Sequence, residues 1–167
     1  MRSLRITLGS LVATQAFGAI IAQLLRAGDR IFLVGELGTG KTTLARAIGV
    51  ALDAAPPLTS PTFVLVSEHQ GTLPIWHADA YRLPEGSDPL AAGIIDERHA
   101  AGITIIEWPH RLQWPRTDQG AALVEISLAL GAGEEQRSAL ITLGDPERAS
   151  RLRAALISAG FEIRDVC

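Results

Sequence analysis

The fold of this chain is decided by the stretch Gly35-Glu36-Leu37-Gly38-Thr39-Gly40-Lys41-Thr42. It fits the pattern of a phosphate-binding loop (P-loop), in which a glycine-rich turn surrounds a phosphate with backbone N–H groups. The glycines allow the backbone to bend around an anion where a Cβ atom would clash. Lys41 is the only lysine in the chain, and a compact ammonium fits against such a loop where a planar guanidinium does not. The stretch therefore predicts a site for a nucleoside triphosphate.

The residues on either side of the loop predict a strand before it and a helix after it. Arg30–Val34 is a short β-branched and aromatic run typical of a buried strand. Over residues 43–52, apolar side chains recur at helical spacing. The loop thus leads into a helix N-terminus, where unpaired N–H groups and the positive end of the helix dipole bind phosphate oxygens. We expect Lys41 to bridge the β- and γ-phosphates and the Thr42 hydroxyl to bind magnesium.

Length and composition indicate one globular domain over residues 1–167, with 47% hydrophobic and 20% charged residues. The net charge of −3 and the absence of a basic tract argue against tight, unaided binding to a nucleic acid backbone. One cysteine, Cys167, excludes an internal disulfide and favours a reducing compartment. No apolar run approaches the length of a membrane span. We therefore expect a cytoplasmic protein with no membrane association.

Strands alternate with helices along the rest of the chain. The predicted strands are 4–8, 63–68, 73–81, 102–107, 123–130 and 137–143, of which 63–68 with 73–81 and 123–130 with 137–143 form hairpins. The other predicted helices run from an N-cap at Ser10 to about residue 26, over 90–99 with a joint at Gly93, and over 146–160. We expect a P-loop NTPase fold, a three-layer α/β/α sandwich with a mixed central sheet.

Two carboxylates are candidates to complete the site. Glu107 follows the apolar run 103–106, so it lies at the carboxyl end of a buried strand, where open α/β sheets bind ligands. The alternative for Glu107 is a solvated glutamate at a strand end. Period-two alternation places His77, Asp79 and Tyr81 on one strand face. Asp79 then either positions an attacking water or belongs to a hydrogen-bonded structural cluster, and His77 by itself is interpreted as a packing or supporting residue.

The segment Ser60-Pro61-Thr62 is a candidate switch. It lies between the helix after the glycine loop and the next predicted strand, where many P-loop proteins sense the γ-phosphate. The alternative is a plain turn that opens a strand.

In series, these elements resemble one family, the bacterial ATPase of tRNA threonylcarbamoyladenosine biosynthesis, TsaE (also called YjeE). The resemblance rests on the glycine loop, Ser60-Pro61-Thr62-Phe63, His77-Ala78-Asp79-Ala80-Tyr81-Arg82-Leu83 and Ile106-Glu107-Trp108-Pro109, in that order and at similar spacing. It covers roughly residues 14–137. The glycine loop alone is generic, whereas the other three elements in series are specific.

The resemblance implies a compact P-loop protein that binds ATP and Mg²⁺ and hydrolyses ATP slowly by itself. It also implies two partner subunits, the threonylcarbamoyl transferase and a non-catalytic partner of the paralogue type. That assembly modifies the adenosine beside the anticodon of tRNAs that read codons starting with A. We expect the chain to act in it as a nucleotide-driven switch, and the acidic balance predicts that any contact with tRNA is indirect and shared with the partner subunits.

The same resemblance implies roles for individual residues. The nucleotide-binding residues that it implies are Leu11, Gly38, Thr39, Gly40, Lys41, Thr42, Thr43, Trp108 and Arg137, with Leu11 on the adenine side. The catalytic residues that it implies are Asp79, Lys41 and Glu107, and the metal ligands are Thr42 and Glu107. The chain departs from the family pattern at His69, Ala78 and Ala80, and the segment after Asp145 carries no family signal.

Three other functions share the glycine loop. A small-molecule kinase needs an acceptor pocket and mobile arginines, for which Arg82 and Arg98 are candidates. A GTP-dependent switch needs an Asn/Thr-Lys-x-Asp segment to read guanine, and the single lysine is already in the glycine loop. No aspartate begins the Asp-x-x-Gly motif that such a switch also needs. A nucleotide-gated binding module with no useful turnover of its own overlaps with the family interpretation.

Overall fold

The computed structural model describes residues 2–61, 63–114 and 123–166. In these residues the chain forms eight strands and three α-helices. In chain order they are β1 (Arg2–Leu8), α1 (Leu11–Ala22), β2 (Arg30–Val34), α2 (Lys41–Ala51), β3 (Val66–Gln70), β4 (Pro74–Asp79), β5 (Ile103–Glu107), β6 (Leu123–Leu130), β7 (Arg137–Leu143), α3 (Pro146–Ser158) and β8 (Ile163–Val166). Two 3₁₀ turns, Glu97–Ala101 and Pro109–Arg111, precede and follow β5.

The strands form one mixed sheet in the order β3-β4-β5-β2-β6-β7-β1-β8. Its four central strands, β4, β5, β2 and β6, run parallel to one another. β3 pairs antiparallel with β4 at one edge, and β7, β1 and β8 pair antiparallel in turn at the other. The predicted mixed sheet is confirmed. Because β4, β5 and β2 are parallel and in register, Asp79 lies opposite Glu107, which lies opposite Leu33 just before the glycine loop.

The α-helices of the described residues share a hydrophobic core with one face of this sheet. Phe17 of α1, Leu44 of α2 and Leu152 of α3 are buried together with Ile31 and Leu33 of β2. The close approach of α1 and α2 is possible because a glycine of α1, Gly18, faces α2.

The second face of the sheet has a smaller core. Phe32, Ala78 and Ile106 meet Ile94 and Leu112, which lie outside the α-helices and strands. The predicted three-layer arrangement is therefore present only in part: in the described residues, loops and 3₁₀ turns, not α-helices, cover this face. Ala78 is fully buried here, so its small side chain is explained by packing.

Several predicted boundaries were wrong. α1 ends at Ala22, because the backbone N–H groups of Leu24 and Leu25 bond three residues back instead of four and tighten the chain into a turn. β3 begins at Val66, since Leu65 has φ +65° and its N–H bonds the carbonyl of Pro61 in a turn. The predicted broken helix over 90–99 is replaced by turns and the 3₁₀ turn Glu97–Ala101, and Gly93 has φ +70°.

The C-terminal part of the chain is tied to the core by a buried ion pair. Arg148 of α3 donates from Nη1 to Asp29 Oδ2 at 2.7 Å, and both side chains are almost fully buried. Asp29 precedes β2, so this pair fixes α3 against the strand that leads into the glycine loop. β8, which follows α3, was not predicted. In the part of the chain that the structure describes, no helix is long and apolar enough to cross a membrane.

Gly18 provides a test of the packing between α1 and α2. A Cβ at Gly18 would lie 2.6 Å from Ala47 Cβ and 3.0 Å from the Ala47 backbone carbon. We expect Gly18→Ala to lower the free energy of unfolding by up to about 2 kcal/mol, because overpacking costs about 1–3 kcal/mol and the gain in helix propensity offsets about 1 kcal/mol of it. Urea denaturation measures it. Gly144→Ala is the control, since a Cβ there meets nothing within 4 Å; equal stability of the two variants would contradict the packing.

Candidate functional site

The glycine loop forms an open cradle at the carboxyl edge of the sheet. Gly38 and Gly40 have φ of +78° and +97°, a left-handed backbone conformation that residues other than glycine rarely adopt. A Cβ on either would face open space. Gly35 is needed for a different reason, since a Cβ there would lie 2.5 Å from the Leu128 carbonyl oxygen. The loop therefore packs against β6 on one side and exposes backbone on the other.

Lys41 is the first residue of α2 and lies at the base of this cradle. Its Nζ donates to the carbonyl oxygens of Gly35 at 2.6 Å and Glu36 at 2.8 Å. The ammonium also lies 4.3 Å from the centroid of the Trp108 ring, a cation–π distance. Burial lowers the pKa of Lys41, whereas the charges of Glu107, Asp79 and Glu36 act in the opposite direction. The glycine loop and Trp108 thus hold a buried cation in place.

Trp108, whose ring covers the Lys41 ammonium, has an unusual backbone conformation. Its φ of +58° is left-handed, which is rare for a bulky residue and typical of strain at functional sites. The Tyr81 ring lies 4.9 Å from the Trp108 ring, so aromatic side chains line this end of the site.

The carboxylate of Glu107 joins the sheet to α2. Thr42 Oγ1 donates to Glu107 Oε1 at 2.8 Å and to Oε2 at 3.1 Å. His77 Nε2 lies 2.9 Å from the same Oε1. Glu107 is only 2% exposed, so the interpretation as a solvated strand-end glutamate is wrong. Asp79, on the neighbouring strand, accepts a hydrogen bond from the Tyr81 backbone N–H at 2.9 Å.

Two cavities flank the glycine loop. The first, of about 360 Å³, is the one that Lys41 and Glu107 line. Its other lining residues are Leu37, Gly38, Gly40, Thr42, Thr43, Ser60, Asp79, Tyr81, Arg82 and Trp108. The second, of about 180 Å³, is lined by Leu8, Leu11, Thr14, Thr39, Gly40, Thr43, Leu128, Glu135 and Arg137. Gly40 and Thr43 line both, so the cavities adjoin at the start of α2.

The structure brings most of the predicted site residues to these two cavities. Lys41, Thr42, Asp79, Glu107 and Trp108 line the first, together with Ser60 of the predicted switch. Leu11, Thr39 and Arg137 line the second, and Arg137 Nη2 donates to the Gly38 carbonyl at 3.4 Å. Pro61, which follows Ser60 in the chain, is buried, and Thr62 lies outside the described residues.

Sequence reasoning missed some contributors and misjudged others. Leu8, Leu128 and Glu135 reach the second cavity from distant parts of the chain, and no local motif marks them. His77 touches Glu107, which the alternation of His77 and Asp79 on one strand face could have indicated. Arg98, a candidate mobile arginine, instead pairs with Glu68 at 3.0 Å and Asp96 at 2.8 Å on the surface and lines neither cavity.

The donor set fits a hard divalent cation. Thr42 contributes a hydroxyl and Glu107 a carboxylate, and both are oxygen ligands of the type that Mg²⁺ takes together with phosphates. Over residues 2–61, 63–114 and 123–166, no group of three or more His, Cys, Asp or Glu side chains could hold a metal ion.

Fold and site together define a mixed α/β protein in which a glycine loop joins a central parallel strand to a helix N-terminus. Residues 8–138 match the family described as Threonylcarbamoyl adenosine biosynthesis protein TsaE, and the chain belongs to this family. The family resemblance inferred from the motif series is thereby confirmed, and with it a place in tRNA threonylcarbamoyladenosine biosynthesis.

Curated relatives carry the name tRNA threonylcarbamoyladenosine biosynthesis protein TsaE. The Nostoc sp. protein is 35% identical over 140 residues, which cover 83% of this chain and 85% of that protein. The Streptomyces coelicolor protein is 43% identical over 94 residues, 54% of this chain and 64% of that protein. The match thus spans just under two thirds of the Streptomyces protein. The crystal structure of Bacillus subtilis YdiB shares the fold, with a TM-score of 0.67 at 23% identity, over 96% of this chain and 99% of YdiB.

Proposed function

We propose that this chain is a P-loop ATPase that binds ATP with Mg²⁺ and hydrolyses it within the assembly that makes the threonylcarbamoyl modification. The observation that carries the proposal is the single cavity shared by the Lys41 ammonium, the open glycine cradle and the Thr42–Glu107 pair. The modified base is the adenosine beside the anticodon of tRNAs that read codons starting with A. Partners are the transferase subunit and its non-catalytic paralogue, in the cytoplasm, with tRNA contacted indirectly.

Phosphate binding relies on groups that are already in place. Lys41 uses two of its three ammonium donors on the carbonyls of Gly35 and Glu36, which leaves a donor for a phosphate oxygen. The cradle at Gly38 and Gly40 adds backbone N–H groups and the positive end of the α2 dipole. Since these donors are preorganised and partly desolvated, little reorganisation is needed when an anion binds.

Thr42 and Glu107 would hold the metal ion, which when bound neutralises phosphate charge. Their hydrogen bond keeps hydroxyl and carboxylate next to each other at the mouth of the cradle. Asp79 lies opposite Glu107 and lines the same cavity. Because the Tyr81 N–H orients its carboxylate, Asp79 is suited to accept a hydrogen bond from an attacking water.

The second cavity would take the adenine side of the nucleotide. Leu8, Leu11 and Leu128 give it apolar walls, and it adjoins the phosphate cradle at Gly40. Arg137 lies at its edge and bonds the loop carbonyl of Gly38, so it links the base side to the phosphate side.

Nucleotide state would be transmitted to the surface by residues 60–64. Ser60 lines the phosphate cavity, whereas Phe63 and Val64 are 88% and 66% exposed. The Arg82 guanidinium, which lines the same cavity, lies 4.9 Å from the Phe63 ring centroid. A phosphate contact of about 1–2 kcal/mol in this segment shifts a balanced equilibrium about tenfold. ATP would thereby change the surface that the partner subunits meet.

Lys41 provides the first test. We expect Lys41→Ala to weaken ATP binding by about 10- to 100-fold, because a charge-assisted hydrogen bond contributes about 1.5–3 kcal/mol. Lys41→Arg should also bind ATP weakly. The carbonyl oxygens that lie 2.6 and 2.8 Å from the Lys41 Nζ leave no room for a guanidinium. Calorimetry with ATP at millimolar Mg²⁺ measures both, with Arg46→Ala on the same helix as control. Wild-type affinity in Lys41→Ala would contradict the site.

A substitution at Asp79 tests ATP binding and ATP hydrolysis separately. Asp79→Asn should retain ATP affinity or raise it slightly, since a negative charge leaves the cavity, while kcat falls by about 100-fold or more. Phosphate release by the protein together with its partner subunits measures turnover, and calorimetry measures affinity. Asp88→Asn, at an exposed loop carboxylate, is the control. Unchanged hydrolysis in Asp79→Asn would return Asp79 to a purely structural role.

Partner binding tests the switch. The affinity for the purified transferase and its paralogue should differ about tenfold between the ATP-bound and nucleotide-free protein, and Phe63→Ala should remove most of that difference. Leu90→Ala, which truncates another exposed apolar residue, should leave it intact. The same partner affinity with ATP, with ADP and without nucleotide would rule out the switch.

A further inference from the structure

His77 lies at the centre of β4 and is completely buried, with 0% of its surface exposed. Along the strand it shares a face with Asp79, and Ile105 of β5 lies beside it in register. A buried imidazole costs folding free energy unless its nitrogens find partners. One nitrogen has found a specific partner: Nε2 lies 2.9 Å from Glu107 Oε1.

The chemistry of Glu107 determines which nitrogen of His77 carries a hydrogen. An ionised carboxylate can only accept hydrogen bonds, so Nε2 donates to it. His77 Nδ1, by contrast, has no hydrogen-bond partner among the described residues. An apolar side chain at this position would avoid that unsatisfied nitrogen. A local departure from good packing chemistry is typical of a residue kept for the site it supports.

The other buried histidines show what a purely structural histidine looks like in this fold. His69 bonds the Pro56 carbonyl at 2.7 Å and the Ser67 hydroxyl at 2.9 Å. His99 stacks on Trp76 at 4.3 Å and bonds the Thr104 hydroxyl at 3.1 Å. None of these four partners lines either cavity. His77 differs because its partner is the carboxylate at the centre of the site.

The two carboxylate oxygens of Glu107 accept unequal sets of hydrogen bonds. Oε1 accepts from both His77 and Thr42, at 2.9 and 2.8 Å, whereas among the described residues Oε2 accepts only the longer bond from Thr42, at 3.1 Å. Two donors from different elements, a strand and a helix, fix the rotation of the carboxylate. Without the strand donor, the carboxylate of Glu107 would keep only the hydrogen bonds from Thr42 in the part of the chain that the structure describes.

We propose that His77 is a positioning residue: its Nε2–H fixes the Glu107 carboxylate so that Glu107 and Thr42 meet a divalent cation as a preformed pair of oxygen ligands. This rests on the proposed Mg²⁺–ATP site and deepens it. Partners of metal ligands typically contribute 10- to 100-fold to metal affinity by such orientation.

The test measures ATP binding by calorimetry at increasing Mg²⁺ concentrations, with the purified full chain. His77→Leu has no hydrogen-bond donor. In His77→Asn the side chain is too short for its amide nitrogen to reach Glu107. We expect both to raise the half-saturating Mg²⁺ concentration by about 10- to 100-fold. His77→Gln places an amide nitrogen near the Nε2 position and should stay within about threefold of wild type. Glu107→Gln changes the proposed metal ligand itself, so its shift of the half-saturating Mg²⁺ concentration is the largest that a His77 variant should reach.

His99→Leu is the matched control, since it also removes a buried histidine but one remote from the cavities. It should lower the melting temperature without moving the Mg²⁺ midpoint. A wild-type midpoint in His77→Leu, or equal shifts in His77→Gln and His77→Asn, would overturn the positioning role. If His77→Leu does not fold, the Gln and Asn variants decide. Absence of ATP binding by the wild-type protein would refute the proposed function itself, whereas wild-type Mg²⁺ dependence in all His77 variants would refute only this inference.

Discussion

The rest of the site depends on a buried ammonium. Lys41 is held by two loop carbonyls and covered by the Trp108 ring, and burial lowers its pKa. A buried charge persists only where its surroundings compensate for lost hydration. The carbonyls of Gly35 and Glu36 point inward to supply that compensation, and the nearby carboxylates Glu107 and Asp79 supply opposite charge. Loop conformation, aromatic cover and carboxylate placement are thus one arrangement around one cation.

That arrangement is possible because three parallel strands end together. β4 delivers Asp79, β5 delivers Glu107, and β2 leads into the glycine loop, all at the same edge of the sheet. A one-residue slip in the register would turn each side chain to the opposite face. The helix face of the sheet is filled by the main core, which fixes that register. Stability of the core and geometry of the site are therefore coupled through β2, β4 and β5.

The predicted helix over 90–99 was wrong because a tertiary contact overrode a local pattern. The apolar residues of the predicted helix 90–99 include Ile94 and Ile95, which are consecutive and both buried against the second sheet face. Consecutive buried residues suit a turn that lies flat on a sheet better than a helix with one apolar side. The segment after Asp145 carried no family signal, yet the Arg148–Asp29 pair makes it part of the core that supports β2.

Local motifs and periodicity were enough to predict the glycine loop between strand and helix, the mixed α/β class and the candidates Lys41, Thr42, Asp79 and Glu107. The family followed from the resemblance of the motif series. The residues that complete the cavities from distant parts of the chain, and the contact of His77 with Glu107, became visible only in the folded chain. The tertiary structure also decided that loops and 3₁₀ turns, in the described residues, cover the second sheet face. The physical reason is that contacts such as His77–Glu107 join residues far apart in the chain, and their geometry depends on strand order and register, which no local pattern specifies.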